Sequence, residues 1–341
     1  MPATGSDPSA IALFDLIVSY RITASIYVAA RLGIADILAD GPKRPDELAI
    51  SSGAHQPSLE RLLRALVAIG ICRRTAEGEF DLTETGVHLA GGARQSLKAY
   101  VLFEGDMVFK SWEDLLASVR TGKTAAALAG FDNGFDQMGR DPEAVKIFND
   151  AMVSLTGVVA PGILAAYDFS GISRLFDVGG GFGELLSAIL RAYPSMQGAV
   201  CDLPRCSEGA RKQLADFGVD GRAEFIASDF FEAVPAGADA IIMKSVIHDW
   251  DDECSTAILR NCRRALTRGG KVLLVERLLK EAVSVDPEDL SNAMNDLSML
   301  RGAGGRERTE RGYANLLRSA KFEKVRVVSA GRFNVIEAVA V

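Results

Sequence analysis

The first hundred residues carry a helical pattern of apolar positions. Before the break at Gly33, apolar side chains recur at helical spacing: Phe14, Ile17, Val18, Ile22 and Ile26. Two short helices separated by Gly53 are predicted next, and two β-like runs follow them at 71–74 and 79–82. This order of helices and short strands predicts a winged helix.

The pattern changes along the rest of the chain. Residues 101–165 carry apolar stripes at helical spacing and predict connecting helices. After Gly171, β-rich runs alternate with helical ones, which predicts βαβ units and a mostly parallel sheet covered by helices. The β-rich runs are 175–178, 198–201, 224–227, 239–243 and 271–275, with a further strand pair predicted at 325–329 and 333–339. We therefore predict an α/β fold with three segments: 1–100, 101–165 and 166–341.

Composition narrows the class of protein. With 341 residues, 48% hydrophobic and 24% charged, the chain has ordinary globular composition and suits two domains of roughly 150 residues. Its longest nearly uncharged apolar stretches, such as 155–167, are shorter than the ~18 to 20 residues of a membrane-spanning helix. The N-terminus also lacks the basic flank of a signal peptide, because Arg21 is the first basic side chain. We expect no membrane span and a cytoplasmic protein.

Cysteine spacing and charge bear on the partners of the protein. Five cysteines without a CxxC pair fit neither a disulfide framework nor a zinc site, so we expect reduced thiols and no metal. A formal net charge of −7 opposes attraction to nucleic acid. The winged helix leaves a ligand-sensing DNA-binding regulator open, but residues 1–100 hold ten Lys or Arg against eleven Asp or Glu, which favours a packing or dimerisation module. The candidate phosphate contacts are Arg61, Arg64, Arg73 and Arg74.

A glycine-rich loop between a predicted strand and a predicted helix carries the sharpest local signal. The sequence of residues 177–183 is DVGGGFG, and its glycines let the backbone turn tightly and approach a ligand. The dinucleotide pattern GxGxxG matches at Gly179 and Gly181 but fails at Glu184, which disfavours an NAD-dependent oxidoreductase. The same stretch matches DxGxGxG completely and resembles the S-adenosylmethionine loop of Rossmann-like methyltransferases.

Polar groups also follow the next two predicted strands. Asp202 ends one strand, where a carboxylate can accept hydrogen bonds from both hydroxyls of a ribose. Asp229 and Phe230 follow the next strand and offer an acceptor for an adenine amino group and an aromatic wall for its ring. Since ligands bind at the carboxyl edge of such a sheet, these groups predict a nucleoside site there.

His248 has the clearest chemical context of the three histidines, since His55 and His88 lie in polar or short helical surroundings. It follows a predicted strand at the ligand-bearing edge. There it can take a proton from a mildly acidic hydroxyl near neutral pH. Methyl transfer then depends on alignment of the acceptor oxygen with the electrophilic methyl group, and it needs neither a metal nor a covalent intermediate. Glu276, at a strand end, and Glu307, in a loop, are candidates to orient the ring, although a solvated loop glutamate is the alternative.

Together these segments resemble the plant-type class I O-methyltransferases, which include caffeic acid and acetylserotonin enzymes and bacterial natural-product members. The similarity is nearly full length. The winged helix resembles the family's dimerisation domain, and CDLP at 201–204 its ribose segment. Residues 244–250 resemble its catalytic segment, and GGRERT at 304–309 is similar to its GGKERT segment. The resemblance implies a Rossmann-like methyltransferase sheet over 166–341.

The resemblance also implies roles for single residues. It makes His248 the general base, flanked by the carboxylates of Glu276 and Glu307. It implies S-adenosylmethionine as the cofactor, and a homodimer in which the N-terminal domain helps to close the partner's acceptor site while 101–165 lines it. The cofactor contacts that it implies are Gly179, Asp202, Asp229, Phe230 and Lys244.

Departures from the plant pattern leave the acceptor open. The loop 296–307 is one residue shorter and lacks the plant Asn-Pro, and Gly312 replaces an expected glutamate. We expect a small aromatic or polyketide-like acceptor, although N-methylation, decarboxylation and hydroxylation stay open. A helical stripe such as Phe148 and Met152 is equally explained as core. The candidate acceptor contacts are Phe148, Met152, Asp249, Trp250 and Met299.

Overall fold

A computed structural model describes residues 7–131 and 134–341 of the chain. Its contacts divide the chain into two units, Met1–Lys110 and Ser111–Val341. The first unit is mostly helical, and the second holds a seven-stranded mixed sheet with helices. These features confirm the predicted α/β fold class with an N-terminal helical domain. The predicted boundaries at 100 and 165 stay a prediction.

The first unit consists of helices and one short antiparallel strand pair. Its strands are β1 (Cys72–Arg74) and β2 (Phe80–Leu82), with Cys72 opposite Leu82. A 3₁₀ helix, Gly86–Leu89, and a π-helical turn, Glu104–Val108, complete it. Its helices are α1 (Pro8–Val18), α2 (Tyr20–Arg31), α3 (Ile34–Leu38), α4 (Pro45–Ser52), α5 (Gln56–Ala68) and α6 (Lys98–Phe103), and α7 (Phe109–Ser111) follows at the junction of the units.

Local sequence explains these helices. Gly53 ends α4 in a left-handed conformation, φ 67°, which glycine adopts without steric cost. The apolar face of α5 buries Leu59, Leu63 and Leu66, spaced for one side of a helix. Helix α1 differs, since none of its residues is buried. Its exposed apolar side chains are Ile11, Leu13, Phe14, Leu16 and Ile17.

The second unit begins with helices and continues as alternating strands and helices. Its helices are α8 (Leu115–Thr121), α9 (Ala125–Leu128), α10 (Gly134–Met138), α11 (Pro142–Ala166), α12 (Glu184–Ala192), α13 (Ser207–Asp216), α14 (Asp252–Ala265), α15 (Pro287–Arg301) and α16 (Glu310–Ser319). Its strands are β3 (Arg174–Val178), β4 (Gln197–Asp202), β5 (Ala223–Ala227), β6 (Ala238–Lys244), β7 (Leu266–Glu276), β8 (Leu278–Leu279), β9 (Arg308–Thr309), β10 (Phe322–Ala330) and β11 (Phe333–Ala340).

The strand order of the large sheet is β10-β11-β7-β6-β3-β4-β5. Strands β3 to β7 run parallel, and β11 pairs antiparallel with both β7 and β10. The chain order reverses at β3, whose neighbours are β4 and β6. A parallel sheet opens a crevice at such a reversal, beyond the carboxyl ends of its strands. The groups that follow β3, β4 and β6 therefore meet in one place.

The sheet is buried on both faces. Adjacent residues of β3, Leu175 and Phe176, belong to two separate buried clusters because successive side chains of a strand point to opposite faces. Helices α14 and α16 cover the face of Phe176, and α11, α12 and α13 cover the other. Burial of each large apolar side chain in these layers stabilises the fold by about 1.5 to 3 kcal/mol. This packing holds the strand ends in place.

Two helical stretches are long and apolar enough, by length and composition alone, to cross a membrane. They are Pro8–Arg31, of 24 residues, and Pro142–Ala166, of 25 residues. The expectation that no stretch reaches that length is therefore wrong. For the second stretch the reason is that α11 continues through Pro161 instead of ending there. Core helices and signal sequences meet the same criterion, and the absence of a membrane span stays a prediction.

Candidate active site

A cavity of about 330 Å³ lies at the carboxyl ends of β3, β4 and β6. Helices α10 and α11 supply part of its wall, including Phe135 and Asn149. Met299 lies in α15 and is not among the described residues of this wall. The wall includes these residues predicted from the sequence: Gly179, Asp202, Asp229, Phe230, Lys244, Asp249, Phe148, Met152 and Trp250.

The glycine loop forms one end of the cavity. Gly179 and Gly181 have φ values of 72° and 57°, a region that favours glycine. A Cβ on Gly181 would lie 2.9 Å from the side-chain oxygen of Asn149, and one on Gly179 would lie 2.8 Å from Val246. No side chain fits at either position without displacing a neighbour, and both glycines line the cavity, so a ligand there would meet bare backbone.

Asp202 ties the glycine loop to the end of β4. Its carboxylate accepts hydrogen bonds from the backbone N–H groups of Gly181, at 2.8 Å, and Leu203, at 2.6 Å. Burial raises the pKa of Asp202, against these hydrogen bonds. Burial and the charge of Asp202 also raise the pKa of Asp177, to about 7. These carboxylates and the bare backbone suit a polar, cationic ligand that carries hydroxyl groups.

An aromatic cluster forms another wall. The ring of Trp250 lies 4.7 Å from that of Phe231 and 6.1 Å from that of Phe230, both edge to face. The side-chain amide of Asn261 donates to the carbonyls of Phe230, at 2.8 Å, and Phe231, at 2.9 Å. Asn261 was not among the site residues predicted from the sequence. Its signal is a polar residue on the buried face of the amphipathic helix α14.

Lys244 ends β6 inside the cavity wall. Burial lowers its pKa to about 8, although the charges of Glu276 and Asp177 oppose that shift. The next residue, Ser245, has a φ of 55°. A non-glycine residue in this region costs of order 1 to 3 kcal/mol and persists where the surroundings enforce it. The chain turns sharply here and presents the residues after β6 to the site.

His248 lies in the 3₁₀ helix Ile247–Asp249 directly after this turn. Its Nδ1 is 2.9 Å from Oε1 of Glu307 and 3.6 Å from Oε2 of Glu276. Its Nε2 is 3.6 Å from Oδ1 of Asp249, which belongs to the cavity wall. A neutral ring whose Nδ1–H donates to Glu307 carries its lone pair on Nε2, on the side of Asp249.

Both carboxylates behind the ring are held by their own partners. Oε1 of Glu276 accepts from the backbone N–H groups of Val246, at 3.2 Å, and Ile247, at 3.0 Å. Oε1 of Glu307 accepts from the side-chain amide of Asn295. Glu276 and Glu307 are 0% and 3% exposed, so the solvated-loop alternative for Glu307 does not hold.

The buried charges shift one another's proton affinities. Burial lowers the pKa of His248, but the charges of Glu276 and Asp249 and the hydrogen bond of Glu307 outweigh it and raise that pKa to about 10. Burial raises the pKa of Glu276 to about 7 and that of Asp249 to about 6, against the charge of His248. The cluster therefore binds a proton at the imidazole and holds it strongly.

The same cluster meets the spacing of a metal site. Among the described residues, His248, Glu276 and Glu307 form a group whose ligand atoms lie within 4.8 Å of one another. The 2.9 Å separation of Nδ1 and Oε1 is a direct hydrogen bond, which a metal would have to replace. The expectation of a site without metal stays a prediction.

Comparisons with known proteins agree with this geometry. Residues 112–323 match the family of the O-methyltransferase domain, and residues 14–91 match the O-methyltransferase dimerisation domain. The chain is 39% identical over 335 residues to a phenazine O-methyltransferase of Lysobacter antibioticus, covering 98% of this chain and 97% of that one.

Two further relatives widen the range of ligands. An 8-amino-8-demethylriboflavin N,N-dimethyltransferase of Streptomyces davaonensis is 32% identical over 323 residues, covering 94% of this chain and 92% of the other. The crystal structure of an O-methyltransferase from neocarzinostatin biosynthesis, in complex with S-adenosylmethionine and 2-hydroxy-5-methyl naphthoic acid, superposes with a TM-score of 0.74 at 32% identity. That similarity covers 94% of this chain and 96% of that one.

Proposed function

Because the chain belongs to the O-methyltransferase family and is S-adenosylmethionine-dependent, we propose that it methylates a hydroxyl of a small aromatic molecule with His248 as general base. Family membership confirms the predicted family, enzyme class and cofactor. It also makes the NAD-dependent alternative wrong. The dimerisation domain supports a homodimer, and the exposed apolar face of α1 suits burial against a second copy.

The cofactor would occupy the cavity beside the glycine loop. When bound, S-adenosylmethionine supplies an electrophilic methyl group. Gly179 and Gly181 would present bare backbone to it, Asp202 offers a carboxylate to hydroxyl groups, and Asp229 and Phe230 line the adjoining wall. Lys244 completes the contacts that we propose.

The acceptor would meet an aromatic wall. The ring of Phe135 lies 5.9 Å from that of Trp250 at an interplanar angle of 25°, and 6.0 Å from that of Phe148. Met152 lines the same cavity. Flat apolar walls favour a planar aromatic ligand, and a naphthoic acid is bound in one relative. Asp249 lines the cavity and would contact the reacting hydroxyl, and Met299 stays a candidate contact.

His248 would take the proton of the acceptor hydroxyl at Nε2. The observation that carries this proposal is the 2.9 Å contact of Nδ1 with Glu307, which leaves Nε2 beside the cavity wall. Glu276 and Glu307 would stabilise the imidazolium as it forms. The ordinary pKa of histidine is about 3.5 units below that of a phenol, so proton transfer from the phenol to the imidazole would cost about 5 kcal/mol. The neighbouring carboxylates bring the two pKa values close and so reduce this cost.

Replacement of His248 tests the proposal. The variant His248→Gln is assayed with isotopically labelled S-adenosylmethionine against 2-hydroxy-5-methyl naphthoic acid and a hydroxyphenazine, with His88→Gln as the matched control. We expect His248→Gln to lose on the order of 10²- to 10⁴-fold in kcat while S-adenosylhomocysteine binds normally by calorimetry. Full activity of this variant on an acceptor that the wild type methylates would remove the general base. Undiminished activity after EDTA treatment would exclude a required metal.

Methylation of nitrogen is a second candidate, favoured by the riboflavin N,N-dimethyltransferase among the relatives. An aromatic amine attacks through its lone pair before it loses a proton, so it depends less on a base. An aromatic amine tested beside the phenols discriminates the two. Amine methylation that survives His248→Gln, with no phenol methylated, would favour nitrogen as the acceptor. Decarboxylation and hydroxylation would instead appear as a mass change other than one methyl group.

We propose that the protein acts in the cytoplasm without nucleic acid. Arg73, one of the candidate phosphate contacts, pairs with Asp81 in the strand pair of the first unit. A paired guanidinium contributes little to phosphate neutralisation. DNA retention at low salt that is lost on replacing Arg61 and Arg64 would instead support a DNA-binding regulator.

A further inference from the structure

Arg308 is a buried arginine that bonds to the loop carrying His248. Arg308 is 5% exposed. It donates to the carbonyl oxygens of Ile247, at 3.0 Å, and Trp250, at 2.7 Å. It also donates to one carboxylate oxygen of Asp252, through Nε at 3.0 Å and Nη2 at 2.9 Å. All three guanidinium nitrogens are therefore engaged with the segment that surrounds His248.

Two backbone contacts join the same pair of segments. The N–H of Arg306 donates to the carbonyl of His248 at 2.8 Å. Gly305 packs so closely that a Cβ there would lie 2.0 Å from the same carbonyl oxygen. In addition, β9 pairs with β8, with Arg308 opposite Leu278, two residues after Glu276. The segments that bear His248, Glu276 and Glu307 are thus linked.

The chemistry of the contact suits an arginine. The carbonyls of Ile247 and Trp250 also accept longer hydrogen bonds from the Ser255 hydroxyl, at 3.3 Å each, so Arg308 supplies the shortest side-chain donor to both. The planar guanidinium reaches two carbonyls and a carboxylate at once, whereas a lysine ammonium is a point donor on a flexible stem. Arg308 thus bonds to the backbone on both sides of His248, at Ile247 and at Trp250.

We propose that Arg308 is a positioning residue for His248, holding the loop 247–252 so that the imidazole stays aligned between Glu307 and the cavity. Glu307 and Arg308 are neighbours in the chain, so one short segment contacts the ring and also fixes the backbone that bears it. The inference rests on the proposed role of His248 in methyl transfer. Its geometric part, the alignment of the ring, is measurable without any acceptor.

Arg308→Lys is the principal variant, and Arg311→Lys, whose exposed side chain pairs with Glu281, is the matched control. We expect kcat to fall on the order of 10- to 100-fold for Arg308→Lys, since a small misalignment of a reacting group has such effects. The KM for S-adenosylmethionine and the affinity for S-adenosylhomocysteine should change less than twofold. A melting temperature that falls while kcat at 15 °C is unchanged would show a merely structural role.

Titration of His248 by NMR supplies a second readout, because ¹³C-labelled histidine gives signals from three residues. In cofactor-free Arg308→Lys we expect the pKa of His248 to fall towards 6.5, because the imidazole is no longer held beside its carboxylate partners. An unchanged pKa would overturn the proposal. If Arg308→Lys does not fold, Asp252→Ala frees one end of the guanidinium, and kcat and the pKa should both fall by a smaller amount.

A double-mutant cycle separates this inference from the proposed function. If Arg308 acts through His248, Arg308→Lys has no further effect in the His248→Gln background. An equal loss in both backgrounds would show that Arg308 acts elsewhere. Full activity of His248→Gln alone would overturn the general base, whereas the NMR titration would still decide whether Arg308 places the ring.

Discussion

Nδ1 of His248 and Oε1 of Glu307 lie 2.9 Å apart, although 59 positions separate the two residues. His248 follows the turn after β6, and Glu307 directly precedes β9. Asn295 donates to the same oxygen of Glu307, and Asp296 accepts from its backbone N–H at 2.8 Å. The geometry of the ring therefore depends on contacts from α15 as well as on the strand that bears it.

The first prediction concerns pH. Burial lowers the pKa of His248, but the charges of Glu276 and Asp249 and the hydrogen bond of Glu307 raise it to about 10. A protonated imidazole cannot accept a proton, so kcat/KM for a phenol of ordinary acidity should rise about tenfold per unit between pH 7 and pH 9. An acidic phenol with a pKa near 7 binds as the phenolate and should give a level profile from pH 7.5 to pH 9. Initial rates across this range check both, and a level profile for the ordinary phenol would contradict the assignment.

The second prediction concerns stability. Burial raises the folded-state pKa of Glu276 to about 7 from an ordinary value of 4.5. Below pH 4.5 the carboxyl group is protonated in both the folded and the unfolded state and does not affect the free energy of unfolding. Between pH 4.5 and pH 7 the unfolded state ionises more readily than the folded one, so the fold is increasingly destabilised. Glu276→Gln resembles the protonated acid and should melt a few degrees higher than wild type at pH 8, with no difference near pH 4.5.

Thermal melts at the two pH values measure that difference. Activity should move in the opposite direction, because the imidazolium loses one of its carboxylates. Glu281→Gln, an exposed substitution nearby in the chain, is the control and should change neither quantity. A lower melting temperature for Glu276→Gln at pH 8 would show that ionised Glu276 stabilises the fold.

Part of this architecture was predictable from the sequence. The strand ends at Asp177, Asp202 and Lys244 were located because parallel strands alternate regularly with helices, and such strands share one ligand-bearing edge. Asp202 lies against the glycine loop because β3 and β4 are adjacent. His248 stood out because histidine is scarce and this one follows a strand at that edge.

Other features had no local signal. Apolar periodicity places Phe148 and Met152 on a helical face, but it does not say whether that face meets core or cavity, and the cavity wall includes both. The buried role of Arg308 depends on partners distant in sequence, in the segment that carries His248. Helix α11 continues through Pro161, because its packing against the sheet retains one long helix.

The third prediction concerns the cofactor wall. Asn261→Leu removes the donor that holds the carbonyls of Phe230 and Phe231, and leaves two backbone acceptors without it. A lost partner for a buried polar group costs about 1 to 3 kcal/mol, part of which loosens the wall beside Asp229. We expect S-adenosylhomocysteine to bind about three- to tenfold more weakly by calorimetry. Asn315→Ala, on the exposed side of α16, is the control, and equal affinities of the two variants would contradict this role for Asn261.

The last prediction concerns Gly305, beside the loop that bears the base. A Cβ there would lie 2.0 Å from the carbonyl oxygen of His248 and 2.3 Å from the carbonyl carbon of Asp249. Both are backbone atoms, so Gly305→Ala must displace the loop, and we expect kcat to fall at least 100-fold, on the order expected for a misplaced catalytic group. Gly171→Ala is the matched control, since a Cβ at Gly171 meets nothing within 4 Å. Methyl transfer rates and melting temperatures of the two variants, measured together, separate the effect of the contact from the general cost of replacing glycine. Wild-type kcat in Gly305→Ala would mean that the loop can move without loss of alignment.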